Sequence, residues 1–298
     1  MDVSIIIVNF NTKELTQQCL ASIFEHTKDI EYEVIVVDNA SVDGSQNMIK
    51  KEFPNVLLIE SSVNLGFGRG NNLGAERAQG SYLFFLNSDT LLVENSIKKM
   101  LEFFINNEGR LKIGSLGCLL VDKDNNINGM GDELPMCRSE IQKYLNRLPV
   151  LRYFYPKRID KYPLNDIFFE IGYVIGADLM ISKNIFNSLG GFSPDFFMYY
   201  EESDLQARMR KSGLISGIYT QTQIIHLEDQ SGTQIKGYNN KKRIINHLSR
   251  NLYLKRNDSD NYNIYKKVDR FILKFNMLNK KYTSQENKEY IDTILKSY

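Results

Sequence analysis

Val3-Ser4-Ile5-Ile6-Ile7-Val8 is a nearly unbroken run of β-branched residues. Without polar alternation, such a run reads as a strand covered on both faces. Tyr32–Val37 repeats the pattern, and Val56–Ile59 and Tyr82–Leu86 supply a third and a fourth strand. The stretches between them are helical. Leu15, Cys19 and Ile23 recur every four residues, with Leu20 and Phe24 beside them, which gives one apolar stripe. Asn11 stands three residues before Glu14, a spacing that suits a helix cap with its reciprocal partner. A helix is expected over Ser45–Phe53, stopped by Pro54, and another over Ile97–Phe104; the Gly-rich residues 64–74 lead into a helix ending near Gly80. Strands alternating with helices imply a parallel sheet with right-handed crossovers.

The rest of the chain departs from this rhythm. Residues 122–170 carry Asn/Asp turns and an aromatic, basic stretch at 144–169, the composition of a binding loop or lid. Regular structure resumes at Tyr173–Ile181, then a helix to Leu189, Gly190-Gly191, a helix over Tyr200–Lys211, and two or three amphipathic helices from Asn239 onward. With 42% hydrophobic and 24% charged residues in a chain of 298, disordered and fibrous classes are excluded. The apolar runs are too short to cross a bilayer, and no basic region precedes the first of them, so no signal peptide is expected. Cys19, Cys118 and Cys137 are odd in number and widely spaced, which fits a reducing compartment rather than disulfides or zinc. The net charge of +1 conceals an asymmetry: residues 236–298 hold 15 Lys and Arg against 6 Asp and Glu, leaving 22 against 30 in the residues before them. A basic, tyrosine-rich end suits an anionic surface, and equally a solvated helical tail.

In an open parallel sheet, ligands bind at the carboxyl ends of the strands. Three polar clusters follow strands here: Asn9-Phe10-Asn11, Asp38 to Ser45, and Asn87-Ser88-Asp89-Thr90. Turn chemistry explains part of each; three in succession point to a site. A dinucleotide enzyme is excluded, because Asn9-Phe10-Asn11-Thr12 stands where that fold needs G-x-G-x-x-G, and no P-loop occurs. Gly66-Phe67-Gly68-Arg69-Gly70 is glycine-rich but matches neither spacing.

The segments VSIIIVNFN, EVIVVDNASVDGS, NLGFGRGNNLGAERAQG, YLFFLNSDT, GADLMIS, GGFSPDFFMYYEESDLQARMRKSG and IIHLEDQSG, in this order from residue 3 to about residue 232, resemble an inverting family 2 glycosyltransferase of the rhamnosyltransferase-like branch. The resemblance implies an α/β GT-A fold: a Rossmann-like, nucleotide-binding, mixed but mostly parallel sheet flanked by helices, with a C-terminal helical appendage. It implies a catalytic domain over 1–235, with a donor-binding half to about 121 and an acceptor-binding half from about 122, followed by the basic helical region 236–298. The implied reaction moves a sugar, dTDP-rhamnose favoured and a UDP-sugar the alternative, to a glycan or diphospholipid-linked acceptor in bacterial surface polysaccharide.

Residue by residue, the resemblance makes Asp38 the acceptor for a base N–H, with Asn9 and Asn11 lining the same pocket. Asp43 and Arg69 are further donor-pocket candidates; Asp43 also suits a helix cap ahead of Ser45. The family's D-x-D reads Asn87-Ser88-Asp89 here, so only Asp89 is an assured carboxylate ligand for a divalent cation, Mg²⁺ or Mn²⁺. Asn87 would then bond the donor's ribose or a metal-bound water, and much of the cation's shell is left to substrate phosphates. His226 would complete the shell, although a lone histidine is commonly structural. Glu202 takes the position of the general base, worth about 10²–10⁴-fold in rate. Asp178, Glu201 and Asp204 are candidates for the donor sugar or the acceptor; Asp204 and Arg208, spaced i,i+4, equally suit a helix-surface pair. The expected setting is cytoplasmic, with peripheral contact at the inner membrane face, no nucleic-acid partner, and room for a homodimer.

Overall fold

The computed structural model describes residues 1–146, 162–227 and 238–298, so most of the aromatic, basic stretch and the residues after Leu227 in the late segment lie outside the described residues. The first strands form as expected: β1 (Val3–Asn9), β2 (Tyr32–Asp38), β3 (Leu57–Glu60) and β4 (Tyr82–Asn87), with helices α1 (Lys13–His26), α2 (Ser45–Glu52) and α3 (Phe67–Arg77) between them. Val3, Ile5, Ile6 and Ile7 are fully buried, as a strand packed on both faces requires. After β4 come β5 (Thr90–Leu92), α4 (Ser96–Leu111), β6 (Ile113–Val121), β7 (Ile127–Gly129), β8 (Gly131–Asp132) and α5 (Cys137–Asn146). Then follow β9 (Phe168–Ile171), β10 (Tyr173–Val174), β11 (Asp178–Ser182), α6 (Lys183–Ser188), α7 (Glu201–Lys211) and β12 (Ile215–His226). Helices α8 (Tyr238–Asn257), α9 (Ser259–Leu273) and α10 (Ser284–Lys296) follow, with a 3₁₀ turn after α9.

The main sheet runs β3-β2-β1-β4-β11-β6-β12-β5. β1 to β4 are mutually parallel. β11 lies antiparallel to β4 and β6, so β6 and the parallel β12 point the same way as the first four strands. The result is a mixed, mostly parallel sheet with helices packed on it. The register aligns the functional edge: Asn9 pairs with Asp38, Val8 with Asn87, and His226 with Thr90. Side chains from α1, α2, α4 and the sheet share one core that includes Ile5, Ile7, Leu20, Ile23, Phe84 and Phe104.

Several local expectations change. Asn11 does not cap α1. It adopts a left-handed φ of 54°, and its Oδ1 accepts from Val42 N. Phe24 is not core; it lies at the rim and stacks on Phe53. Strand β6, unmarked in the sequence reading, is buried in the centre of the sheet. Its small residues hide it: a Cβ at Gly114 would meet Met209 Sδ at 2.4 Å, and one at Gly117 would meet Val174 Cγ1 at 2.4 Å. Helix α5 falls where only loop was expected, with Cys137, Glu140 and Tyr144 on its buried face.

Contacts group the described residues into two compact units, one of 1–133, 163–197 and 201–227, the other of 134–146, 162, 198–200 and 238–298. The second holds α5 and α8 to α10. Leu273, Tyr290, Ile291 and Ile294 form an apolar cluster there. Beside it, Asp269 accepts hydrogen bonds from Tyr144 and Tyr298, pairs with His247 Nε2 at 2.8 Å, and lies 3.4 Å from Arg250 Nη2. A Thr283–Glu286 capping box starts α10.

Candidate active site

The carboxyl edge of the sheet carries one continuous hydrogen-bonded network. Asp38, fully buried at the end of β2, accepts from Asn9 Nδ2 (2.6 Å), Ser41 N (3.0 Å) and Gln46 Nε2 (2.7 Å). A carboxylate has about four lone-pair positions, so roughly one remains for a ligand. Asn9 spends its whole amide: Nδ2 donates to Asp38 and to Ser41 Oγ, and Oδ1 accepts from Thr12 and Thr16. Its geometry orients Asp38 and the loop after β2. Asn11 extends the same tie, with its backbone N donating to Ser41 Oγ at 2.9 Å. Ser41, Thr12 and Gln46 carry no motif of their own, and only the three-dimensional network reveals them.

Asp43 sits between two helix starts. One oxygen accepts from Ser45 N and Oγ, the other from Lys13 N. Burial works to raise its carboxyl, and these hydrogen bonds from Ser45 and Lys13 outweigh it, leaving Asp43 below the usual carboxylate range. This is the geometry of a cap serving two helices.

Thr12 Oγ1 lies 3.1 Å from Ser88 Oγ and so carries the network into the turn after β4. There Asp89, 8% exposed, faces the equally buried His226, with Oδ1 3.3 Å from Nε2. The same Nε2 lies 3.5 Å from Asn87 Nδ2. β5 makes this meeting possible, because it pairs with the end of β12 and brings Thr90 opposite His226. The carboxylate oxygen suits Mg²⁺ or Mn²⁺, and the imidazole nitrogen leans toward Mn²⁺. Among the described residues no third His, Cys, Asp or Glu joins them, so a cation held here would need oxygen ligands from elsewhere.

Asp178 opens β11 beside Leu86. It is fully buried and accepts from Cys118 N at 2.7 Å. Burial pushes its carboxyl up to about 7, against the lowering effects of the Cys118 hydrogen bonds and the His226 charge. Arg69 does not turn inward: its Nε donates to Pro194 O at 2.7 Å.

Helix α7 presents the acidic cluster. Glu201 is buried and its side chain lies over Gly68, whose Cβ position is 3.4 Å from Glu201 Cβ. Asp204 pairs with Arg208 Nε at 2.9 Å, and Arg208 also donates to Leu189 O and Gly191 O. This latch fixes the Gly190-Gly191 turn against α7. Glu202, half-buried, is pushed up to about 7 by burial, with backbone hydrogen bonds opposing the shift. A carboxyl titrating there can both hold and release a proton near neutrality.

An open, mostly parallel sheet with polar and acidic residues at one carboxyl edge is where α/β proteins bind ligands, and the solved structures that share this fold are GT-A glycosyltransferases. The chain belongs to glycosyl transferase family 2, whose sequence model matches residues 4–190. It is 33% identical over 136 residues to a poly(ribitol-phosphate) beta-glucosyltransferase of Bacillus spizizenii, covering 44% of this chain and 20% of that protein. It is 25% identical over 209 residues to an N-acetylglucosaminyl-diphospho-decaprenol L-rhamnosyltransferase of Mycobacterium tuberculosis, covering 65% of this chain and 66% of that one. The chain thus spans a fifth of the first relative's length and just under two thirds of the second's. Among solved structures, a Pyrobaculum calidifontis mannosyltransferase in complex with GDP-Man and Mn²⁺ shares the fold at a TM-score of 0.58, with 15% identity over 99% of this chain and 73% of the other. S. aureus TarS in complex with UDP gives 0.55, with 11% identity over 99% and 71%.

Proposed function

We propose that the chain transfers a sugar from a nucleoside-diphosphate donor to a hydroxyl of a glycan or lipid-linked acceptor in bacterial surface-polysaccharide assembly, with inversion. The observation that carries this reading is the Asp89–His226 pair at the carboxyl edge of the sheet, next along the chain from Ser88, where the network that holds Asp38 ends. The remaining acceptor position on Asp38 suits a base N–H, with Asn9, Asn11 and Ser41 keeping it in place. Asp89 and His226 would hold a divalent cation, which when bound neutralises charge on the departing diphosphate. Glu202 takes the proton from the acceptor hydroxyl as that oxygen bonds to the anomeric carbon and the bond to the diphosphate breaks on the opposite face. Asp178 would bond a donor-sugar hydroxyl, and Glu201 the acceptor. Asp204, Asp43 and Arg69 keep the surrounding loops in register.

The L-rhamnosyltransferase relative supports a rhamnosyl donor and the beta-glucosyltransferase relative a glucosyl donor, which makes dTDP-rhamnose the favoured donor and a UDP-sugar the alternative. A thermal-shift panel of dTDP-, UDP- and GDP-sugars, with and without Mn²⁺, separates them: a donor at 100 times its Kd stabilises the fold by about 2.7 kcal/mol. NMR of the product's anomeric configuration tests inversion. Calorimetry of Mn²⁺ with the nucleotide, on Asp89→Asn and His226→Ala, tests the cation site without turnover. Retained configuration, or unchanged cation binding in both variants, would overturn the corresponding part of the assignment.

A further inference from the structure

We propose that the exposed face of α9 docks the second unit onto an anionic lipid surface, an inference that does not depend on the sugar chemistry. A groove of about 690 Å³ lies along this helix, lined by Lys266, Lys267, Arg270 and Lys274 with Phe271 and Leu295, and no acidic side chain lines it. Helical spacing places Lys267, Arg270 and Lys274 along one stripe, with Ile264 and Phe271 on the flank. Ile264 is 60% exposed, Phe271 58% and Phe275 54%. The Phe271 and Phe275 rings meet edge to face at 5.3 Å while both stay open to solvent.

A solvated helix face needs no such residues. Amphipathic helices at membranes pair apolar side chains that enter the headgroup boundary with Lys and Arg that reach the phosphates. The stripe and flank of α9 have that composition. The buried face of the same helix is occupied: Tyr265, Asp269 and Leu273 point into the second unit, and Lys266 donates to Tyr298 O at 2.7 Å. The outer face is therefore left to a partner. Its cations call for an anionic one. Aliphatic Ile264 beside the two phenyl rings favours hydrocarbon over nucleic-acid bases, which would use the rings and the cations alone.

The test is co-sedimentation of the full chain with phosphatidylcholine vesicles, with and without phosphatidylglycerol. Pelleting is expected with phosphatidylglycerol and little without it. Each basic residue near the surface is worth about fivefold in partition, so Lys267→Gln/Arg270→Gln/Lys274→Gln should lower it about 10²-fold. Phe271→Ser/Phe275→Ser should lower it at least about tenfold on the same vesicles. Both sets alter exposed positions, and their circular dichroism and melting temperature should match the parent. Equal pelleting on neutral vesicles, no pelleting on either kind, or parent-like pelleting of both variant sets would overturn the assignment. So would displacement from vesicles by an equal phosphate concentration of RNA, which would make the face a polyanion site.

Discussion

At the residue scale, environment decides which carboxylates can do chemistry. Seven acidic side chains stand near the carboxyl edge, and three are committed to structure. Asp43 caps two helices, Asp204 holds Arg208, and Asp38 has three of its lone-pair positions filled. Burial pushes both Asp178 and Glu202 up to about 7, but Asp178 is fully buried and accepts from Cys118 N, whereas Glu202 stays half-exposed. If it is the base, it works only when ionised, so kcat/KM should fall about tenfold per unit as pH drops below about 7 and level off above. Glu202→Gln should cut turnover by at least about 10²-fold, abolish the acid limb and leave donor affinity unchanged. A flat profile from pH 5.5 to 8 in the parent, or near-normal turnover in the variant, would remove Glu202 from the role. The sequence assigned these carboxylates different roles, and for Asp43 and Asp204 it left a structural and a functional reading open. Their division into structural and reactive groups needed the hydrogen-bond partners, because in sequence an aspartate that caps a helix looks the same as one that waits for substrate.

At the element scale, tight approaches between segments fix the edge. Gly66 precedes α3 with φ of 81°, and a Cβ there would lie 1.9 Å from Phe197 O, which itself accepts from Phe67 N. Gly44 precedes α2 with φ of 86° but open space around it. Gly44→Ala should therefore cost only the left-handed conformation, about 1 kcal/mol, and Gly66→Ala at least about 2 kcal/mol more. Chemical denaturation measures both; equal costs would show that the Phe197 contact yields easily. Arg208 ties α7 to the end of α6 through two carbonyls and Asp204. Arg208→Met should cost about 3 kcal/mol, since it removes the buried pair with Asp204 and the donors to Leu189 O and Gly191 O, and a loss below about 1 kcal/mol would deny the latch its structural role. Of these elements, β1 to β4 and α1 to α3 were legible in the sequence, because long apolar periods dominate local choice. β6 and α5 were not. Glycines that admit Met209 and Val174 weaken the strand signal, and a helix buried through Cys137, Glu140 and Tyr144 carries polar groups that also need distant partners such as Asp258 and Arg250.

At the scale of the whole molecule, the second unit is held by a buried charge network. Burial drives the His247 imidazole below its ordinary value, against its hydrogen bond to Asp269. Burial works to raise Asp269, yet His247 and Arg250 leave it below the usual carboxylate range. Both signs act together. The unfolded chain takes up a proton on histidine near pH 6.5 and on aspartate near pH 4, while the folded unit resists until lower pH. Stability contributed by this network is present at pH 7.5, declines as pH falls below about 6.5, and declines again below about 4. Thermal unfolding at pH 7.5 and 5.5 should show the loss, and His247→Gln should flatten it; an unchanged slope in the variant would place the acid sensitivity elsewhere. The charge asymmetry that divides residues 236–298 from the rest was visible as a sum, whereas the burial of Arg250 and the exposure of Lys267, Arg270 and Lys274 were not.

What the sequence determined by itself is the class: apolar runs of strand period, helical stripes between them, and polar clusters at three strand ends require an open α/β sheet with a site on its carboxyl edge. These are local signals, readable because each depends on neighbours within a few residues. Tertiary structure alone decided that β12 returns beside β6 and carries His226 to Asp89, that Asn9 and Ser41 are spent on Asp38, and that α9 leaves a basic, aromatic face uncovered. The physical reason is that hydrogen-bond saturation, burial and the resulting shifts in proton affinity depend on groups some 30 to 137 residues apart, and only the folded chain brings them within reach.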